Sequence, residues 1–373
     1  MSKIKIETLT CVHIGSGTTL LNNNDFVVGK HDGENVISII DPQKMFSFIG
    51  ENNIDNWLAL IKKGESADAI VKLYNSKARL SDYSKRMMLN WVNGKFQSNT
   101  TIKELIHDGN GRPYIPGSSI KGAIRSAVLA TMAKDKSSLD RFIRLEYKDE
   151  KRTQPKKATS SIEDSLFGRI NNDFFRFIRV GDAYFGNNYE VAIKMVNINE
   201  REKNSFWDTS KPQIIEALPP EDETTFELTI DNKHNKFASE RNSDIKKLAS
   251  FVSSIESLFD TINKHTKDLL ESEIGYWKEL TSEECVNEYI EKLETILDTV
   301  KECNNQQCVL RLGHGSGWRF ITGAWSEKLD NFDGEIVAFC RPNNKKYETY
   351  DFPKSRRVDE QCELLGFVKL SQV

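Results

Sequence analysis

Pro116-Gly117-Ser118-Ser119-Ile120-Lys121-Gly122-Ala123-Ile124-Arg125 is the stretch on which the reading of this chain turns. Pro116 and Gly117 form a turn, and Ser118 can cap the helix that follows. Ile120, Ala123, Ile124, Ala127, Val128 and Met132 recur at helical spacing and predict a buried face. Lys121 and Arg125, four residues apart, sit one turn above the other on a different face. A helix start presents free N–H groups and a partial positive charge, and two cations over the first turn add to it. The segment reads as an anion site suited to phosphate, or as an ordinary capped helix with solvated cations. The sequence leaves both readings open.

The 373 residues around this helix suffice for about two domains. Hydrophobic residues make up 38% and charged residues 29%, which excludes a disordered chain. No apolar run approaches the roughly 20 residues that span a bilayer, so no membrane partner is expected. Met1 to Glu7 alternate like a strand and lack the apolar core of a signal peptide, which makes a cytoplasmic location the expectation. Cys11, Cys285, Cys303, Cys308, Cys340 and Cys362 form no C-x-x-C pair. Reduced structural thiols and no metal site are the expectation. The net charge of −3 hides an asymmetry. Residues 112–157 hold twelve Lys/Arg against five Asp/Glu, whereas residues 239–302 hold eight against fifteen. A basic zone can bind nucleic acid under a negative total charge, although charge runs are more often solvated faces.

Strands are predicted at Ile4–Cys11, Asp25–Val28 and Val36–Ile40. Asp41-Pro42 starts a helical region that runs, with interruptions, to about residue 92. Residues 146–165 are polar and Pro-containing and read as a mobile loop. Strands resume at Phe174–Ala183, Tyr189–Ile198 and Thr224–Ile230, with a long connection between the last two. Leu248, Val252, Ile255, Phe259 and Ile262 mark one acidic helix, and Val286 to Val300 mark a second, together a helical hairpin. Strands at Glu335–Cys340 and Leu364–Leu370 close an α+β pattern of antiparallel sheet pieces with helices beside them.

Leu310-Arg311-Leu312-Gly313-His314-Gly315-Ser316-Gly317-Trp318-Arg319 is the second outstanding motif. Its glycines, Gly313, Gly315 and Gly317, let backbone approach a ligand closely. They do not spell G-x-G-x-x-G, and no G-x-x-x-x-G-K-[ST] occurs, so no nucleotide cofactor is expected. Arg311, His314, Trp318 and Arg319 put cations and an aromatic beside flexible backbone, which suits a sugar-phosphate strand with a base stacked nearby. The competing reading is a tight turn with Trp318 buried. Lys354, Arg356 and Arg357 form a basic cluster after Pro353, ordinarily a surface loop.

These motifs, with Val12-His13-Ile14-Gly15-Ser16-Gly17, Leu166-Phe167-Gly168 and Ile178-Arg179-Val180-Gly181-Asp182-Ala183, resemble the RAMP superfamily of CRISPR-associated proteins. Within it the chain is most similar to the fifth-subunit family of type III-A Csm effector complexes. The resemblance implies ferredoxin-like (RRM-like) modules with antiparallel sheets. It also implies a first domain over 1–235, a helical hairpin insertion over 236–305, and a C-terminal part over 306–373 that completes a second module. It implies a non-catalytic subunit that caps the backbone filament and binds the 3′ part of the CRISPR RNA. The implied partners are the repeated backbone RAMP subunit, the small helical subunit, a host ribonuclease recruited for guide maturation and, indirectly, target RNA. Carried onto this sequence, the guide contacts fall on Gly15, Ser16, Gly17, Ser118, Ser119, Lys121 and Arg125. They continue on Arg311, Gly313, His314, Gly315, Gly317, Trp318 and Arg319, and on Lys354, Arg356 and Arg357. Gly181 stands where relatives often carry Ser, and no contact is placed there. The rival class is a metal-independent RAMP ribonuclease that uses His13 or His314 as acid or base. A third class is a pure assembly subunit that docks through the acidic hairpin.

Overall fold

The computed structural model describes residues 2–134, 146–150, 160–186, 188–202, 205–320, 322–329, 332–340 and 352–373. Of the loop expected over 146–165, residues 151–159 lie outside the described residues, and from Ser160 onward the chain is helical and not loop. In the first half of the chain run β1 (Ser2–Thr8), β2 (Gly15–Leu21), β3 (Phe26–His31), β4 (Glu34–Ile40), α1 (Pro42–Ile49), α2 (Ile54–Lys62), α3 (Ala67–Tyr74), α4 (Leu80–Tyr83), β5 (Ser84–Asn90), β6 (Thr101–Leu105), β7 (Tyr114–Ile115), α5 (Gly117–Lys134), α6 (Ser160–Phe167), β8 (Ile178–Val180) and β9 (Ala183–Tyr184). There follow β10 (Val191–Asn199), β11 (Trp207–Ala217), β12 (Glu223–Ile230), α7 (Asn232–Arg241), α8 (Ile255–Leu280), α9 (Glu284–Glu302), β13 (Gln307–Arg311), α10 (Ala338–Cys340), β14 (Ser355–Asp359) and β15 (Phe367–Gln372).

The architecture is α+β, built on two large sheets. The first is antiparallel throughout, in the order β13-β15-β1-β12-β8. Its middle strand follows from alternation: Ile4 and Ile6 are fully buried while Lys5 points outward. Each such isoleucine contributes about 1.5–3 kcal/mol by leaving water. Helix α5 and the first turns of α8 cover one face, with Ile120, Ile124, Val128, Leu258 and Phe259 meeting Ile4, Phe226 and Leu370. Edge strand β13 divides its side chains. Cys308 and Leu310 enter that core, while Val309 enters a second one with α8, α9 and Phe367.

The second sheet has eight strands in the order β2-β6-β11-β10-β5-β4-β3, with β14 also paired to β10. It is mixed: β10–β5 and β11–β6 are parallel and the remaining pairs antiparallel. Helices α1 to α4 pack around Val27, Ile40 and Tyr83 near β3 and β4. Asp41 caps α1 through Gln43 and Lys44, with Pro42 at its first position, as the sequence predicts.

Four other stretches differ from expectation. β5 ends the helical region early, because residues between Ser84 and Leu89 pair with β4 instead of continuing α4. β11 occupies the supposed long connection. Its exposed, proline-bearing first half hides the strand, whereas Ile215, Glu216 and Ala217 are buried. Ser355–Asp359 is a strand and not a surface loop. The strand expected at Glu335–Cys340 is helical, with Phe332, Ile336 and Val337 turned together into the first core.

Candidate nucleic-acid interface

Three motifs distant in sequence converge where the two sheets meet. Cys11, Val12 and His13 carry the chain from β1 to β2, bridging to Leu365 and Leu218 on the way. Beside them the backbone N–H of His314 donates to the carbonyl oxygen of His13 at 2.9 Å. The helix start of α5 forms the third wall. Between them lies an open groove of about 330 Å3 lined by Gly15, Ser119, Gly122, Ser126, Gly313 and His314, among others, with no carboxylate among the described residues of its lining. The contribution of α5 is the small-residue flank Ser119, Gly122, Ala123 and Ser126, which recurs at helical spacing.

The tip of α5 differs from the sequence reading. The helix begins at Gly117, two residues earlier than a Ser118 cap would place it. Its first N–H donates at 2.7 Å to Asp182 Oδ1, so a carboxylate of the protein already faces the helix dipole. Gly117 is required by close approach, since a Cβ there would lie 2.3 Å from the carbonyl oxygen of Val180. Ser118 is exposed beside this capped tip. Lys121 and Arg125 turn away from the groove. Lys121 lies half-buried over the Phe175 ring, 5.8 Å from its centroid, and burial lowers its pKa against the pull of Asp173. Arg125 bonds Asp173 at 2.8 Å and Glu163 at 3.2 Å and stacks on Phe167 at 4.1 Å. Arg125 is therefore held in internal ion pairs and does not line the groove.

The second glycine motif is a turn whose close approaches are intramolecular. Gly313 has φ +85°, and a Cβ there would lie 2.6 Å from the His13 carbonyl oxygen. Gly315 packs on Leu365, and Gly317 faces open space. Trp318 is packed on Phe332 and Phe352, at 5.4 and 4.9 Å, which corrects the expectation of a base-stacking ring. Three arginines are also engaged inside the protein, although Arg311 still lines the groove. Arg311 is buried between Phe320 and Phe367 and donates to the Leu365 carbonyl oxygen. Arg319 and Arg356 both pair with Glu273 of α8, and Arg319 also takes Glu327 at 2.7 Å. Glu273 is buried and receives Trp277 and Tyr289 as well. Burial pushes its pKa up, but Arg356 and Arg319 outweigh that and hold it at about 2. The acidic hairpin thus supplies the counterion for the basic tail. Lys354 bonds Asn199 at 2.9 Å. Arg357 is half-buried, and its Nη1 atom is enclosed without a hydrogen-bond partner.

His13 and His314 are brought together, with rings edge to face at 5.7 Å. His13 is buried and its Nδ1 lies 2.5 Å from the Glu216 carbonyl oxygen, while His314 Nε2 lies 3.1 Å from Gln213 Oε1. Burial, then the nearby charge of Lys103, lowers the pKa of His314. Burial lowers that of His13 too, against its bond to Glu216 and with Lys103 adding to the fall. Both shifts favour the neutral form of the two imidazoles.

A family model of the RAMP superfamily matches residues 5–320. The chain belongs to the RAMP superfamily. Over 109 residues, 29% of this RAMP chain, it is 28% identical to an uncharacterized protein of Aquifex aeolicus (strain VF5), a match that spans 45% of that relative. Two solved structures share its fold. One is a chain of a cryo-EM Csm–crRNA–target RNA ternary complex of a type III-A CRISPR-Cas system, 21% identical with a TM-score of 0.69 over 100% of both chains. The other is T. onnurineus Csm5, 19% identical with a TM-score of 0.65 over 98% of this chain and 99% of that one. No helix among the described residues is long and apolar enough to cross a membrane.

Beneath the groove of this RAMP chain runs a charge network that sequence reasoning missed. Arg86 bonds Glu216 at 2.8 Å and Glu104 at 3.1 Å. Glu216 also accepts the Leu105 N–H, and Glu104 accepts the Ser16 hydroxyl at 3.1 Å. The network therefore holds both His13, through the Glu216 backbone, and the Gly15-Ser16-Gly17 loop. Glu104, His107 and Glu216 offer ligand atoms within 4.8 Å of one another, but the Arg86 guanidinium already supplies their positive charge. One signal was available: a lone carboxylate in Ile214-Ile215-Glu216-Ala217-Leu218 reads as a buried, paired charge.

Proposed function

We propose that this RAMP protein is a non-catalytic, RNA-binding subunit of a type III-A CRISPR effector complex in the cytoplasm, at the end of the backbone filament over the 3′ part of the CRISPR RNA. The observation that carries the reading is the groove between the two sheets, where the Gly15 loop, the Ser119–Ser126 flank of α5 and the Gly313–Ser316 turn meet with no carboxylate among the described residues. Backbone, hydroxyls and a neutral imidazole suit sugar and phosphate contacts, which tolerate varied guide sequence. Likeness of fold to a Csm complex chain and to Csm5 supports the assembly. Its partners are then the CRISPR RNA, the repeated backbone subunit and the small helical subunit, with a host ribonuclease acting on the guide end and target RNA reached indirectly. Tagged full-length protein purified from its own cells is expected to retain RNA with guide-type 3′ ends together with other Csm subunits. Recovery of the chain alone, without RNA, overturns the assignment.

The edge-to-face pair His13–His314 motivates a second reading, a metal-independent ribonuclease. Its test is incubation of the purified chain with guide precursor and a chelator. A defined cut that is lost in His13→Ala or His314→Ala establishes the enzyme and displaces the non-catalytic reading.

A further inference from the structure

His314 separates the groove from a second, larger hollow of about 630 Å3, formed by the loop between β5 and β6 together with β6, β10 and β11. A hollow of about 300–1,000 Å3 is the size range of small-molecule sites. Its chemistry is one-sided: Lys95, Lys103 and Lys194 supply charge, amides such as Gln97, Asn99 and Gln213 supply donors and acceptors, and among the described residues no carboxylate lines it. Lys194 is taken by Glu360 at 2.9 Å. Among the described residues, Lys95 and Lys103 have no ion-pair partner. Phe96 is half-buried and braced edge-on against Phe26 at 5.9 Å, which fixes its ring beside the amides.

The two hollows share a wall. His314 lines the groove and Gln213 lines the cleft, and these side chains are hydrogen-bonded at 3.1 Å. The charge of Lys103 acts on both His13 and His314, so its field crosses that wall. Unpaired cations suit phosphates, and a braced aromatic flanked by amides suits an unstacked base.

We propose that this cleft is a second nucleotide subsite, in which a single-stranded RNA leaving the groove across His314 sets a phosphate against Lys95 and Lys103 and a base against Phe96, Gln97 and Asn99. The inference rests on the RNA-binding reading above and extends its track onto the second sheet. The test uses the full chain, the double variant Lys95→Ala/Lys103→Ala, and two labelled single-stranded RNAs of four and ten nucleotides, titrated by fluorescence anisotropy over a range of salt. Loss of two phosphate contacts predicts about a tenfold or greater fall in affinity for the ten-mer and a salt slope shallower by about 1.4, with four-mer affinity kept. Equal affinity and slope for the ten-mer overturn the subsite and leave the groove standing. An equal loss on both lengths also overturns it, since the lysines would then act on the groove. A wild-type chain that binds neither RNA overturns the RNA-binding reading itself. As a second measurement, 4-thiouridine is placed at each end of the ten-mer in turn. One placement is expected to crosslink to the peptide containing Phe96, and crosslinks confined to the groove segments from both ends count against the subsite.

Discussion

The backbone N–H of His314 bonds the carbonyl oxygen of His13 at 2.9 Å, and their rings meet at 5.7 Å. This single contact ties the turn after β13 to the segment joining the two sheets. It makes the groove a property of the whole chain and not of either motif alone.

The pair also sets a pH dependence. Burial lowers both imidazole pKa values below the ordinary 6.5. The unfolded chain therefore binds more protons than the folded one below that pH, and stability falls as pH drops through the window. The urea midpoint is expected to be lower at pH 5 than at pH 7. The double variant His13→Asn/His314→Asn should show a smaller difference, and an equal one would refute the assignment.

Glu273→Gln removes the charge that compensates Arg319 and Arg356. Breaking a buried pair from one side costs about 3–5 kcal/mol, and chemical denaturation should read a loss of that order. Because the folded pKa is about 2 against 4.5, the stabilisation by Glu273 is complete above pH 4.5 and fades toward pH 2. A variant as stable as wild type would contradict the ion-pair account.

Gly122 lies inside α5 and faces the groove, and a Cβ there meets nothing within 4 Å. Gly122→Ala should stabilise the protein by about 0.5–1 kcal/mol. Gly122→Phe should fill the groove and weaken RNA binding by about tenfold or more while the thermal transition is retained. Undiminished RNA affinity in the phenylalanine variant would move the strand elsewhere.

Arg125→Ala separates structure from ligand binding. It leaves Asp173 and Glu163 without their guanidinium and bares the ring of Phe167, at an expected cost of about 1–3 kcal/mol. The salt slope of RNA binding should not change, because Arg125 faces away from the groove. A slope reduced by about 0.7 would restore it as a phosphate contact.

Much of this is written locally in the chain. The alternation of Ile4 and Ile6, the Asp41-Pro42 start of α1 and the apolar stripes of α8 and α9 each follow from neighbours a few residues apart. The convergence of Gly15 and Gly313 was legible only as resemblance, because nothing local joins residues three hundred apart. The cations were misjudged for the same reason. Arg125, Arg319 and Arg356 look free in sequence, and apart from Glu327 beside Arg319 their carboxylates lie 38 to 83 positions away. β11 was hidden by Pro212, which an edge-exposed first half tolerates while Ile214 and Ile215 complete the parallel pair with β6.

The reach of Glu273 from α8 into the tail has a practical side. A shortened protein lacking the two long helices would keep Arg319 and Arg356 but remove the buried acid they share, and would uncover Val309 and Phe367 at the same stroke. Such a deletion should yield insoluble material, so the helical pair has to travel with the chain in any attempt to rebuild or miniaturise it.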